Sequence, residues 1–297
     1  METQVIMNAF HHVTWGEGIA IYFFLLGISI GVCVVSTFGW VFGIARYKQV
    51  GLLSSIFAII VLLIIPPFLI ADLGKPFRFF YLFMPGYWHA TSPMSWGGAF
   101  LTFYMTFMAI YAWFIYKNNP KWAKVFGLLT LIFAISLRWY TSVVMQLNPA
   151  RGLNHTALAP LVFFASAFIS GTAVLAIIFW LKNLLKLGDR IDDSVIIELG
   201  RIMVYGMTFE IFFAFSEYMQ MVYGTEEEFV NLKYILLGVM KTNYFLVGLV
   251  VSFVIMTFTP IRKTVGGVVF ASILVLIAVW GIIHSWVYGG QYLQTFF

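Results

Sequence analysis

Charge is what this sequence has least of. Only 10% of its 297 residues are Asp, Glu, Lys or Arg, where soluble domains carry about 25%. That excludes a water-soluble globular domain. Cysteine is nearly missing too. Cys33 is the single one, so the chain can build neither an internal disulfide nor an iron–sulfur cluster. There is no basic start followed by a short apolar core and a small-residue cleavage site. METQVIMNAFHHVTWGEG is therefore expected to be a short pre-membrane segment rather than a cleaved signal peptide. No Gly-rich phosphate loop and no HExxH motif occurs. The five histidines are His11, His12, His89, His155 and His284. They sit in loops or at span ends, and none lies in the middle of an apolar run. Two histidines on facing helices are what a transmembrane b-type haem needs, so no haem is expected. The formal charge of +5 would hint at nucleic acid in a soluble chain. Here the basic residues lie between apolar runs and read as topology signals, and no nucleic-acid partner is expected.

What is present is apolar. Hydrophobic residues make up 62% of the chain and aromatics 19%, in runs of about twenty, the length a helix needs to cross a bilayer core. The expected fold is all-α, a polytopic integral membrane protein of eight transmembrane helices. The spans are Glu17 to Gly43, Val50 to Leu73, Met94 to Tyr116, Trp122 to Leu147, Ala157 to Leu181, Ile197 to Tyr223, Tyr234 to Thr259 and Val265 to Tyr288. One set of loops holds Arg46, Lys48, Lys117, Lys121, Lys124, Lys182, Lys186, Arg190, Arg201, Arg262 and Lys263. The other holds only Lys75, Arg78, Arg151, Lys233 and Lys241. The richer set belongs in the cytoplasm, which puts both termini outside, in the periplasm of a Gram-negative cell. All five histidines, Glu17 and Asp72 then fall near the outer face, so the chemistry is expected there. FFLLGISIG (Phe23 to Gly31) and FFASAFISG (Phe163 to Gly171) align without gaps. They open two four-helix halves, 1–150 and 151–297, of a single domain. A parallel duplication and shared apolar composition explain the match equally.

The unusual connector is DLGKPFRFFYLFMPGYWHATSPMSW, Asp72 to Trp96. Connectors of about twenty residues are long inside a compact protein and are usually functional or disordered. This one is too aromatic for disorder. Its rings suit either the headgroup layer or a lid over an apolar pocket. Pro66 and Pro67 are expected to free carbonyls at Leu62 and Leu63. Ser92 with Pro93 reads as a helix start. Asp72 closes a span at its C-terminus, where the dipole disfavours an anion. It should be protonated, paired with Lys75 or Arg78, or bound to something; otherwise it is an interfacial helix stop before Gly74 and Pro76. Arg138 falls about 14 Å inside the outer edge, where an unpaired Arg is costly. Glu210 is its natural partner, with Glu217 one heptad outward on the same face. These three read either as a structural ion pair or as a proton path. Tyr140, about 10 Å deep, and Tyr22, at similar depth, need hydrogen-bond partners. A quinone carbonyl or another helix's backbone would serve. Gly27 and Gly31 form a GxxxG packing motif.

YFFLLGISIG in the first span, DLGKPFRF, TSPMSWG, RWYTSVVM in the fourth span and LAPLVFFASAFISG in the fifth, in this order, resemble the NrfD/PsrC family. Its members are membrane subunits of bacterial respiratory complexes of the polysulfide and nitrite reductase type. The resemblance implies eight helices in two four-helix groups and no bound prosthetic group. It also implies a menaquinone or ubiquinone site near the periplasmic face. Electrons would pass between quinol and a periplasmic four-cluster ferredoxin-like iron–sulfur subunit, which serves a molybdopterin or multihaem catalytic subunit. The implied location is the bacterial inner membrane. Asp72 matches the family's acidic residue beside the quinone, and Tyr140 its quinone-contacting tyrosine. Tyr22 stands where that group has a quinone-contacting histidine, and Ile19 where it has an asparagine. At the first helix, Glu17, His11 or His12 could substitute.

Two other readings compete with a quinol-reactive subunit. Arg138, Glu210 and Glu217 fit an ion or proton transporter, though few polar residues beyond Ser36 and Thr37 lie in the cytoplasmic half. A b-type cytochrome anchor would betray itself by a haem absorption band.

Overall fold

The computed structural model describes residues 15–84, 86–87, 89, 91–147, 156–237, 241–258 and 260–292. His11, His12 and His155 lie outside them. Among the described residues the chain is all helix. The α-helices are α1 (Glu17–Trp40), α2 (Lys48–Asp72), α3 (Pro93–Tyr116), α4 (Pro120–Gln146), α5 (Ala159–Leu184), α6 (Asp193–Tyr223), α7 (Glu226–Leu237), α8 (Thr242–Phe258) and α9 (Val265–Tyr292). Six of them, α1 to α5 and α9, are long and apolar enough to cross a membrane. The 31-residue α6 is long enough but carries Glu198, Arg201, Glu210 and Glu217.

The expected span from Tyr234 to Thr259 is not one helix. Residues 234–237 belong to α7 and Thr242–Phe258 form the 17-residue α8, with an angle of 71° between the two. Lys241, just before α8, has φ 48°, a left-handed conformation that an α-helix cannot continue through. Pro66 and Pro67, by contrast, sit within a single continuous α2.

α1 and α5 are the inner helices and bury most of their surface, whereas α2 and α3 leave much of theirs exposed. α1 packs on α2, α4, α5 and α9, and α5 packs on α1, α4, α6 and α9. The α1–α5 contact is built from small residues. A Cβ on Gly31 would run into the Ala167 carbonyl and the Gly171 Cα, and one on Gly171 would run into the Gly31 backbone. Such close approach is what a small-xxx-small face provides in lipid. α3 is fixed to α1 by two phenols one heptad apart. Tyr104 donates to the Ser29 carbonyl at 3.0 Å and Tyr111 to the Ser36 carbonyl at 2.8 Å. Helix starts follow local chemistry. The Asn119 side chain accepts from the Trp122 amide ahead of Pro120, and Asp192 accepts from the Ser194 amide. At Pro93 the helix does begin, but the Ser92 side chain makes no capping bond.

α1, α3 and α5 run one way, and α2 and α4 return. The ends of α2 and α4 and the starts of α1, α3 and α5 therefore share one end of the bundle. At the opposite end an Arg46–Glu198 ion pair of 2.7 Å ties the turn after α1 to α6.

Candidate functional site

A cavity of about 420 Å³ opens at the α1-start end, between α1, α2, α3, α4 and the connector. α1 contributes Ile19, Tyr22 and Phe23; α2 Leu69 and Asp72; α3 Gly97 and Leu101; α4 Tyr140, Thr141 and Val144. Leu73, Gly74 and Leu82 come from the connector. The wall is mostly apolar, with one carboxyl and two phenols among its polar groups. Thus Asp72, Tyr22 and Tyr140, far apart in sequence, face one space.

The environments of the three differ. Tyr22 is buried, Tyr140 is half-buried and Asp72 is exposed at the rim. Asp72 is the last residue of α2 and forms no ion pair among the described residues, so neither Lys75 nor Arg78 neutralises it. Neither phenol shows a hydrogen-bond partner among the described residues. A buried phenol wants one, so both hydroxyls are available to something that enters the cavity. The position of the Tyr140 ring depends on Gly97. A Cβ there would collide with the ring and its hydroxyl.

The connector forms a 3-10 helix, Pro76–Phe83, that packs on α2 and α3. Its aliphatic residues, not its rings, wall the cavity. Phe77 is 89% exposed, and Phe79, Phe80 and Phe83 are exposed as well. Tyr81 stacks on Tyr87 with centroids 4.8 Å apart. Both border a second hollow of about 400 Å³, with Lys75 and Arg78. The rings are therefore not a lid over the cavity. Leu73, Gly74 and Leu82 close the cavity, while the exposed phenylalanines suit a headgroup layer.

Glu17 points elsewhere. Its Oε1 lies 3.1 Å from His284 Nε2 on α9, and the His284 ring stacks on Tyr288. Glu17 is not part of the cavity wall, and His12 lies outside the described residues.

Arg138 does not pair with Glu210. Its Nε donates to the Phe163 carbonyl at 2.7 Å and one terminal nitrogen to the Phe23 carbonyl at 3.2 Å. The guanidinium lies 4.8 Å above the Phe163 ring, which adds a cation–π attraction. The small residues Gly27 and Ala167 leave room for it between α1 and α5. Glu210 instead accepts from the Ser166 hydroxyl at 2.5 Å, and its other oxygen has no partner among the described residues. Glu217, also buried, has an unpartnered oxygen too. Among the described residues the three charged groups thus share no direct ion pair: Arg138 ties α1, α4 and α5, and Glu210 and Glu217 are two buried carboxyls on α6.

Among the described residues no group of three or more His, Cys, Asp or Glu side chains is placed to hold a metal ion. Gly97, Leu69, Leu101 and Val144 are wall residues that their identity did not announce. The Pro-initiated WGG of TSPMSWG was the one signal available for Gly97.

The family profile described as Polysulphide reductase, NrfD, matches residues 5–293. One of the selenate reductase subunits of Mesobacillus selenatarsenatis is 22% identical over 245 residues, 69% of this chain and 56% of that protein. The Hdr-like menaquinol oxidoreductase integral membrane subunit of Archaeoglobus fulgidus is 25% identical over 165 residues, 56% of this chain and 41% of that protein. The matches thus span about half the length of these curated relatives. With a profile match over nearly the whole sequence and several apolar helices of membrane-crossing length, the chain is a multi-pass membrane protein of the polysulphide reductase NrfD family.

Proposed function

We propose that the chain is the quinol-reactive membrane subunit of a bacterial respiratory oxidoreductase complex. The observation that carries this reading is the convergence of Asp72, Tyr22 and Tyr140 on one apolar cavity. Ligand sites of this kind are apolar with a few placed polar groups, and a quinone head group has that character: a flat ring with two carbonyl oxygens. The space and the donor set fit it. Tyr140 and Tyr22 hold its oxygens by donating their free hydroxyls. A bound quinol, oxidised to quinone, supplies two electrons and two protons, and Asp72, uncompensated at the rim, accepts the protons one after the other and passes them to the outer surface. Electrons leave to a periplasmic four-cluster iron–sulfur subunit serving a molybdopterin or multihaem catalytic subunit. The name of the Archaeoglobus relative favours menaquinone over ubiquinone.

In the same reading the chain lies in the inner membrane with both termini periplasmic. Eight spans are grouped as α1 to α4 and α5, α6, α8 and α9. The packing of α1 on α2 and α4, matched by α5 on α6 and α9, supports this grouping.

The test is turnover with quinol in the assembled complex. Asp72→Asn and Tyr140→Phe should each cut it by about a hundredfold or more, the usual range for a lost acid–base group, while assembly is unchanged. Wild-type rates in both would overturn the assignment.

A second reading rests on Glu210 and Glu217. Each is buried with an oxygen that has no partner, and such groups within a membrane are often proton carriers. Arg138, Glu210 and Glu217 would then belong to a proton path. Proton uptake by vesicles containing this chain alone, lost in Glu210→Gln, supports it. Its absence, with intact quinol turnover in Glu210→Gln, rejects it.

A further inference from the structure

A hollow at the end of the bundle opposite the quinol cavity has no role in the function above. It measures about 510 Å³ and lies where α5 ends and α6 and α9 begin. Lys182, Lys186 and Arg190 border it, with Asp193, Trp180 and Val265, the first residue of α9. Three cations thus meet one carboxylate. Arg190 spans 2.8 Å to that carboxylate, and Lys182 donates to the Asp189 carbonyl. Lys186 enters no ion pair among the described residues. Among the lining residues this leaves Lys182 and Lys186 without a carboxylate at ion-pair distance, while Asp189 and Asp192 flank Arg190 in the same loop. The start of α6 is already capped by Asp192, so it is the start of α9 that adds the positive end of its dipole.

The loop that carries these cations is held in one shape. The Asn183 side chain clamps Ile191 in both directions, donating to its carbonyl at 2.8 Å and accepting from its amide at 2.9 Å. The Leu187 amide closes the end of α5 onto the Lys182 carbonyl at 3.1 Å. Lys186 at φ 54° and Gly188 at φ 71° turn the chain back. This fixes Lys186 and Arg190 on the rim of one space instead of leaving them free on a mobile turn.

The apolar side is as telling as the charge. Leu184, which borders the hollow, is 59% exposed, and Leu185 and Leu187 beside it in the chain are 63% and 60% exposed, interleaved with the lysines. A soluble anion gains nothing from exposed leucines, whereas a lipid places its phosphate on the cations and its glycerol and acyl chains on the leucines. We infer that this hollow is a binding site for the phosphate headgroup of an anionic phospholipid, seated between the ends of α5, α6 and α9. Basic pockets between transmembrane helices are suited to such headgroups.

The test uses the purified full-length chain, delipidated in detergent and mixed with phosphatidylglycerol or phosphatidylcholine, with bound lipid counted by native mass spectrometry. Wild type should retain phosphatidylglycerol and not phosphatidylcholine. Lys182→Gln with Lys186→Gln should weaken retention by about thirtyfold, the scale of removing two cations at a lipid surface. Lys121→Gln with Lys124→Gln, another basic loop, should leave it unchanged. A melting curve checks that the variants are folded, and Lys186→Arg should retain the lipid if the glutamine pair does not fold. Equal retention in the two double variants, or of the two lipids, overturns the proposal. Displacement by inorganic phosphate at equal concentration would mean a soluble-anion site and also overturns it. Quinol turnover does not enter the readout, so failure of the cavity assignment and failure of this one are distinguishable.

Discussion

Adding one methyl group at Gly97 would drive it into the ring and hydroxyl of Tyr140. The phenol would have to swing away from the cavity, and misplacing a substrate-positioning group by about 1 Å can cost on the order of a hundredfold in rate. Gly97→Ala should therefore lower quinol turnover nearly as far as Tyr140→Phe, with the protein still accumulating. Turnover measured beside assembly, and equal to wild type, would show that the ring position does not matter. Arg138 makes a different kind of prediction. Its fork reaches two carbonyls on two helices at once, which a lysine ammonium cannot imitate. Arg138→Lys should lower the melting temperature of the detergent-purified protein by several degrees while leaving the cavity lined as before. Asp72, Tyr22 and Tyr140 were legible in the sequence because each is a polar group in an apolar setting. Gly97 was not, since its importance lies in a neighbour on another helix. The Arg138–Glu210 pairing was misread for a related reason. The sequence displays opposite charges, but not the backbone carbonyls that Gly27 and Ala167 bring within reach.

Helix α1 does most to organise the chain, and its GxxxG was legible as a packing face. The motif did not name its partner, which is α5 through Ala167 and Gly171. Gly171→Val should separate the two helices, destroy both carbonyl contacts of Arg138 and reduce accumulation in the membrane sharply. Quantifying protein in isolated membranes checks this. Accumulation equal to wild type would mean that the helices tolerate wider spacing. The 3-10 connector shows what periodicity cannot reveal. Its rings and its leucine are all apolar in sequence, and only packing on α2 and α3 decides that Leu82 turns inward while Phe77 turns out. The break between α7 and α8 was hidden likewise. The sequence counts Lys241 with the outer loops yet runs a span through it, and its left-handed backbone marks the break, while the Thr242 hydroxyl, bonded to Ser285 at 2.8 Å, anchors the start of α8 against α9.

For the whole molecule, the weak internal match gains physical content. Phe23 and Phe163, the first residues of the two matched stretches, pack edge to face at 5.9 Å and both give their carbonyls to Arg138. Gly31 and Gly171, the last residues, touch backbone to backbone. Equivalent residues meeting one another is what an approximate two-fold axis between the halves would produce, and that axis would run through the α1–α5 contact. That likeness does not extend to charge, because among the described residues both buried carboxyls, Glu210 and Glu217, lie on α6. That difference bears on how the protein is made. A charged side chain at the centre of a nascent helix costs about 2.5–3.5 kcal/mol to insert, so α6 should enter the bilayer poorly by itself. Once α5 is in place, the Ser166 hydroxyl offers Glu210 a partner. Isolated α6 in a translocon insertion assay should insert far less than the α5–α6 hairpin, and Glu210→Leu with Glu217→Leu should close the gap. Equal insertion of the isolated helix and the hairpin would contradict this. The buried carboxyls would then set an order of synthesis as well as a place in the bundle, with the second half assembling onto a helix already laid down.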